Sequence, residues 1–222
     1  GISNTFIGGA AGDALTDADR NVAVGYDAMS QNTIGSESVA VGAFALNAQN
    51  PTGATNMYNV AVGHNTGAAI TTGVQNTLIG ASAGDALTTG NYNTALGYAA
   101  LSADDLGSQS VAIGYHALVA QNYATATTSH NVAVGANAGA NISTGTLNTA
   151  VGGLALDADT LGSRSVAIGY TALSNQNFTT ATDSNNTAVG FQAGVAVTTG
   201  RFDTFVGSEA GDAVTTGVAN VA

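Results

Sequence analysis

NTLIGASAGDALTTGNY (residues 76–92) is followed at once by NTALGYAALSADDLGSQ (93–109), and the second stretch rewrites the first. Each opens on Asn-Thr, sets an aliphatic residue before a glycine, and returns to alanine three residues after that glycine. The phrase [N/S/D]-[T/V]-[A/F/L]-[V/I/L]-G occurs twelve times, its glycines being Gly8, Gly25, Gly42, Gly63, Gly80, Gly97, Gly114, Gly135, Gly152, Gly169, Gly190 and Gly207. The steps between them are 17 residues, or 21 at three places, and a thirteenth copy opens at Asn220.

Counted from its Asn or Ser, each repeat has Val or Thr at position 2 and Val, Ile or Leu at position 4. Position 5 is always Gly, and position 8 is Ala except at Thr66. β-Branched residues at alternate positions, closed by glycine, read as a short strand and a turn. A period of 17 is too short for a helical hairpin repeat, which needs more than about 30 residues. It fits one coil of a parallel β-solenoid, with the position-1 asparagines stacked into a hydrogen-bonded ladder. About twelve coils spaced ~4.8 Å apart predict a rod roughly 60 Å long. The 21-residue coils begin at Ser38, Ser110 and Ser165, and their four extra residues follow Gln49-Asn50, Gln121-Asn122 and Gln176-Asn177. Such insertions map to loops on one side of a solenoid. The regularity leaves no room for a domain boundary, so residues 1–222 read as one repeat domain. Without visible capping repeats, the chain is expected to be an excerpt of a longer fibre.

Composition narrows the function. The chain has no Cys and no Lys, and its three basic residues (Arg20, Arg164, Arg201) stand against 14 acidic ones for a formal net charge of −11. Such a surface repels phosphate backbones and argues against nucleic-acid binding. No apolar run approaches a membrane span, so no direct membrane insertion by this segment is expected. No disulfide or thiolate metal site is available to it.

Position 3 carries the assembly expectation. If position 4 lines the coil interior, position 3 faces outward. Yet it is alanine in nine copies: Ala23, Ala40, Ala61, Ala95, Ala112, Ala133, Ala150, Ala167 and Ala188. A strand apolar on both faces is buried on both faces. The alanine column is therefore expected to be an oligomer face.

The core NVAVG, SVAIG or NTAVG followed by x-x-A resembles the YadA-like head repeats of trimeric autotransporter adhesins. SVAIGYHA (110–117) and SVAIGYTA (165–172) match best, and the likeness spans the whole chain. It implies a left-handed β-roll, three chains around one axis, and an extracellular location on a bacterial surface. Similar repeats occur in phage tail fibres and marine virion proteins, which implies a virion surface instead. The family's coils are usually shorter than these, and residues 1–222 themselves include no stretch that reads as a coiled-coil stalk or membrane anchor.

Catalysis finds little support. His64, His116 and His130 occupy different coil positions without a recurring partner, and no catalytic, metal-binding or cofactor-binding residue is assigned. Asp104-Asp105 and Asp157/Asp159 form carboxylate pairs of the kind a glycosidase uses, but without basic or aromatic sugar clamps. Asp13, Asp85 and Asp212 share position 10 and read as solvated turn carboxylates rather than a calcium site. GGAAG (8–12) lacks the lysine of a phosphate loop and reads as a turn. The sequons at Asn141, Asn177 and Asn185 are those expected by chance in an Asn/Thr-rich chain. The aromatics at position 6 read as chain–chain packing. Asn50, Tyr58, Tyr123 and Phe178, in the long coils, are the candidate surface-binding loop residues. The expected function is a non-enzymatic spacer and adhesive segment of a homotrimeric fibre, meeting a cell-surface, matrix-protein or glycan receptor. The alternatives are a filament subunit stacking end to end, and an ice-binding solenoid presenting its Thr-Thr pairs.

Overall fold

Each repeat supplies three extended residues and then a glycine that turns the backbone. The computed structural model, which describes residues 1–222, contains twelve such strands, from Thr5–Ile7 through Val111–Ile113 to Thr204–Val206. They form one parallel sheet in strict chain order. Pairing is in phase: Ala112 stands opposite Ala95 on one side and Ala133 on the other. Three two-stranded sheets, such as Gly107–Ser108 with Thr127–Thr128, join each long coil to the coil before it. The chain is an all-β parallel β-solenoid of about twelve turns, without helix.

The strand faces are the reverse of the expectation above. Ala23, Ala40, Ala61, Ala95, Ala112, Ala133, Ala150, Ala167 and Ala188 are all 0–1% exposed within the single chain, so this column is core rather than an oligomer face. Positions 2 and 4 point outward instead. The reason is steric. Positions 1 and 3 share a face, and the position-1 asparagines turn inward to tie the coil together. The space left inside is narrow, and alanine fits it.

Where position 3 is larger, position 9 gives way. A Cβ on Gly84 would lie 3.0 Å from Leu78, and one on Gly211 would lie 2.3 Å from the Phe205 ring. Position 12 completes the exchange. It is Leu, Ile or Val where position 9 is Gly, as in Gly84/Leu87 and Gly139/Ile142. It is Asn, Gln or Asp where position 9 is Leu or Met, as in Leu101/Asp104 and Leu118/Gln121. One large apolar side chain per level thus fills this wall, from position 9 or from position 12.

The asparagines work in two directions. Asn93 Nδ2 donates to the Gly107 carbonyl of its own coil at 2.9 Å, and its Oδ1 accepts from the Ser110 backbone N–H of the next at 2.9 Å. The pattern recurs at Asn21, Asn59, Asn76, Asn131, Asn148 and Asn186. Asp203 breaks it. Its Oδ1 accepts from Asn220 N–H at 2.8 Å, but its buried Oδ2 has no partner. The carbonyl at the corresponding place, Gly217, can only accept. Asp203→Asn restores a donor there and removes a buried unpaired oxygen. It should raise unfolding stability by about 1 kcal/mol in urea titration. Unchanged or lower stability would show that the cross-coil amide contributes nothing at this level.

Candidate functional site

The long coils were the first place to look for a binding surface, and the structure divides their residues. Tyr123 and Phe178 are 4% and 5% exposed, so these two candidates are loop anchors rather than contact residues. Tyr123 Oη donates to the Gly145 carbonyl at 2.9 Å and accepts from Asn131 Nδ2 at 3.2 Å. Burial pushes its phenol well above the ordinary tyrosine range, with the nearby Asp104 adding to the effect. The inserted residues must leave and re-enter the coil, and an aromatic plug fills the gap this opens. Asn50 is exposed, but its Oδ1 holds the Thr33 hydroxyl at 2.7 Å. Tyr58 is exposed and lies beside the main sheet, immediately before Asn59, rather than at the loop tip. The exposed tips are small and polar, for example Thr52-Gly53-Ala54 and Thr179-Thr180-Ala181.

A buried polar brace beneath each long coil is a feature that sequence reading missed. Gln121 Nε2 donates to Asp104 Oδ2 at 2.6 Å and to Ser110 Oγ at 2.8 Å, while its Oε1 accepts from Asn131 Nδ2 at 2.8 Å. Asp104 also accepts from Gly107 N–H at 2.9 Å. Gln176 and Asp159 repeat the arrangement. Burial raises both carboxyl pKa values against the opposing pull of these donors. Asp104 and Asp159 therefore face inward and are closed to a sugar substrate. In the first long coil Asn32 stands in place of the aspartate. Its single oxygen accepts from Gly35 N–H at 2.9 Å, and Gln49 Nε2 is left without a protein partner. The sequence carries only a spacing for it: a polar position 12 precedes the glutamine of each long coil by 17 residues.

The histidines stay apart, His64 and His116 on the flank after the strands and His130 on the flank before them. Asp85 Oδ2 accepts from Asn65 Nδ2 at 3.2 Å. In three of the Thr-Thr pairs the first hydroxyl donates to a backbone carbonyl of the next coil, as Thr88 Oγ1 does to Asp105 at 3.1 Å and Thr71 and Thr198 repeat at 3.2 Å.

The outer face of the twelve-stranded sheet is a continuous uncharged surface. Position 4 presents Val, Ile or Leu at every level, and position 2 presents Val or Thr. None of these residues is buried, and Leu96 and Val206 reach 43% and 63% exposure. No charged side chain occupies either column. In-phase pairing keeps the columns continuous, so the uncharged strip runs the length of the sheet.

Rings border it. On the flank after the strands, at position 6, Tyr98 stacks on Tyr115 at 5.7 Å with planes 13° apart, and Tyr170 on Phe191 at 6.0 Å and 13°. On the flank before the strands, exposed Tyr58, Tyr92, Leu147 and Phe202 each hold a left-handed backbone conformation, with φ between 52° and 61°.

Family models, curated proteins and solved structures were compared with the chain, and none matches. The site is thus defined by its own geometry: a charge-free strip of aliphatic residues and threonine, bordered by exposed rings on both flanks and by Arg20 and Arg164 on one of them. It offers uncharged surface rather than a cleft or a charged cluster.

Proposed function

We propose that this chain is a structural and adhesive segment of an extracellular trimeric fibre, on a bacterial or virion surface, and not an enzyme. The observation that carries the reading is the charge-free outer face of the main sheet. Three copies turned inward around one axis would bury positions 2 and 4 against each other and leave the acidic coil sides and loop tips to water. The resemblance to left-handed β-roll heads supports the same arrangement, with the interior and exterior columns exchanged relative to the alanine reading. Three equivalent sets of loop tips would then face outward at fixed heights. Individually weak contacts to a cell-surface, matrix or glycan receptor would add by multivalency.

Light scattering on the purified chain is expected to give about three times the 21.6 kDa chain mass. Ile113→Glu places a charge on the strip without entering the core, and should give a folded monomer with unchanged circular dichroism. A wild-type monomer, or a trimer indifferent to Ile113→Glu, would refute this use of the face.

One observation favours a second reading. Half of the outward position-2 residues are threonine (Thr5, Thr77, Thr94, Thr149, Thr187, Thr204), set in ranks with aliphatic position 4 on one continuous sheet. That surface also suits ordered water. A monomer that produces thermal hysteresis on freezing would establish ice binding in place of the trimer.

A further inference from the structure

We propose that neighbouring chains of the trimer meet flank to flank at equal height, the residue just before each strand's Asn or Ser contacting the position-6 residue of the next chain at the same level. This rests on the trimer reading and adds the residue pairing to it.

Two levels carry the clearest signal. Arg20-Asn-Val-Ala-Val-Gly-Tyr26 and Arg164-Ser-Val-Ala-Ile-Gly-Tyr170 place an arginine on one flank and a tyrosine on the other at identical spacing. Arg20, Tyr26, Arg164 and Tyr170 are all exposed. Within one chain the strand lies between them, so arginine and tyrosine at a level cannot meet. The arginines do find acids on their own flank, Arg20 with Glu37 and Arg164 with Asp183 at 3.4 Å, but both keep 54% of the side chain exposed. A guanidinium can pair with a carboxylate at its edge and still stack on a ring through its face. The chain already uses this contact once, with Arg201 5.0 Å from the Phe202 ring centre.

Three-fold rotation preserves height along the axis. It brings the leading flank of one copy to the trailing flank of the next without a shift in level. Arg20 then meets the partner's Tyr26, and Arg164 the partner's Tyr170. Three other levels set a large residue on one flank against a small one on the other, His130 with Ala136, Leu147 with Gly153 and Phe202 with Ser208, while Tyr58 with His64 and Tyr92 with Tyr98 set ring against ring. Each copy carries a net charge of −11, so cations at the seams also offset the repulsion of three acidic chains. Sliding the copies by one coil would set Arg20 against Gly9 or Ala43 and Arg164 against Gly153 or Phe191, so only the equal-height register puts both arginines on rings, which makes the flanks the register device for an otherwise repetitive strip.

Absence of cysteine from the natural chain allows a direct test. The double variant His130→Cys/Ala136→Cys sits mid-rod on exposed positions. At ~3.3 Å per extended residue the two lie about 15 Å apart or more in one chain, beyond the ~7 Å between Cα atoms that a disulfide tolerates. Oxidation should convert the double variant to a covalent trimer on a non-reducing gel. Each single variant should run as free chains. Arg164→Cys/Tyr170→Cys serves as a second pair if the first fails to fold. Trimers by light scattering without a covalent band, or cross-linking of a single variant, overturn the flank pairing and leave the trimer standing. Absence of trimers in light scattering on the wild-type chain overturns both.

Discussion

Ala112→Glu is expected to unfold the chain rather than merely separate its copies. Ala112 is 0% exposed and stands in register between Ala95 and Ala133, inside the continuous apolar core. A glutamate there overfills a level sized for one methyl group, at about 1–3 kcal/mol. It also places an unpaired charge where no donor waits, at several kcal/mol more. Far-UV circular dichroism should show loss of the sheet signal at room temperature or a steep fall in melting temperature. Ile113→Glu, one residue along and outward, provides the contrast because it should keep the fold. A well-folded Ala112→Glu would mean that the alanine column faces outward after all.

Gly114→Val should be nearly as damaging, for a different reason. All twelve position-5 glycines hold φ between +126° and +144°, a region that residues with a Cβ avoid. At Gly114 a Cβ would lie 2.4 Å from the Gly135 carbonyl oxygen and 2.6 Å from its carbon. The obstacle is backbone held in the coil-to-coil ladder, so it cannot swing aside as a side chain would. Strain of roughly 1–3 kcal/mol and the clash together should exceed about 4 kcal/mol, at the far end of single-mutation effects. Thermal melting of Gly114→Val beside Gly53→Ala makes the measurement specific. Gly53 has nothing within 4 Å of its Cβ position, and its substitution should leave the melting temperature unchanged. Equal tolerance at both sites would refute the turn constraint.

Reading the loops from sequence succeeded in part. Their place after Gln49, Gln121 and Gln176 was legible because insertions interrupt a fixed count. The roles of Tyr123 and Phe178 were not, because an aromatic ring serves equally as a contact outside or a plug inside. Which one it becomes depends on the hole left when four extra residues leave the coil, and that hole is not a property of any local stretch. The Asp104–Gln121 brace was hidden for the opposite reason. Its partners are 17 residues apart and look like ordinary turn residues until stacking brings them within 2.6 Å.

The coil and its stacking follow from local chemistry. A glycine every 17 or 21 residues marks where the chain must turn, and alternating β-branched residues mark what runs extended between turns. Asparagine at a constant offset then has the same neighbour at every level. The inside and outside of the strand could not be settled this way. A period of two separates Val and Ile from Ala but does not say which set is enclosed when both are apolar. That choice was made by the width of the finished coil. With Leu, Ile or Phe already filling one level from position 9, 12 or 3, the sheet wall admits only a methyl group across most of its length. The larger aliphatic residues are left outside, where they form the strip that a second chain can cover.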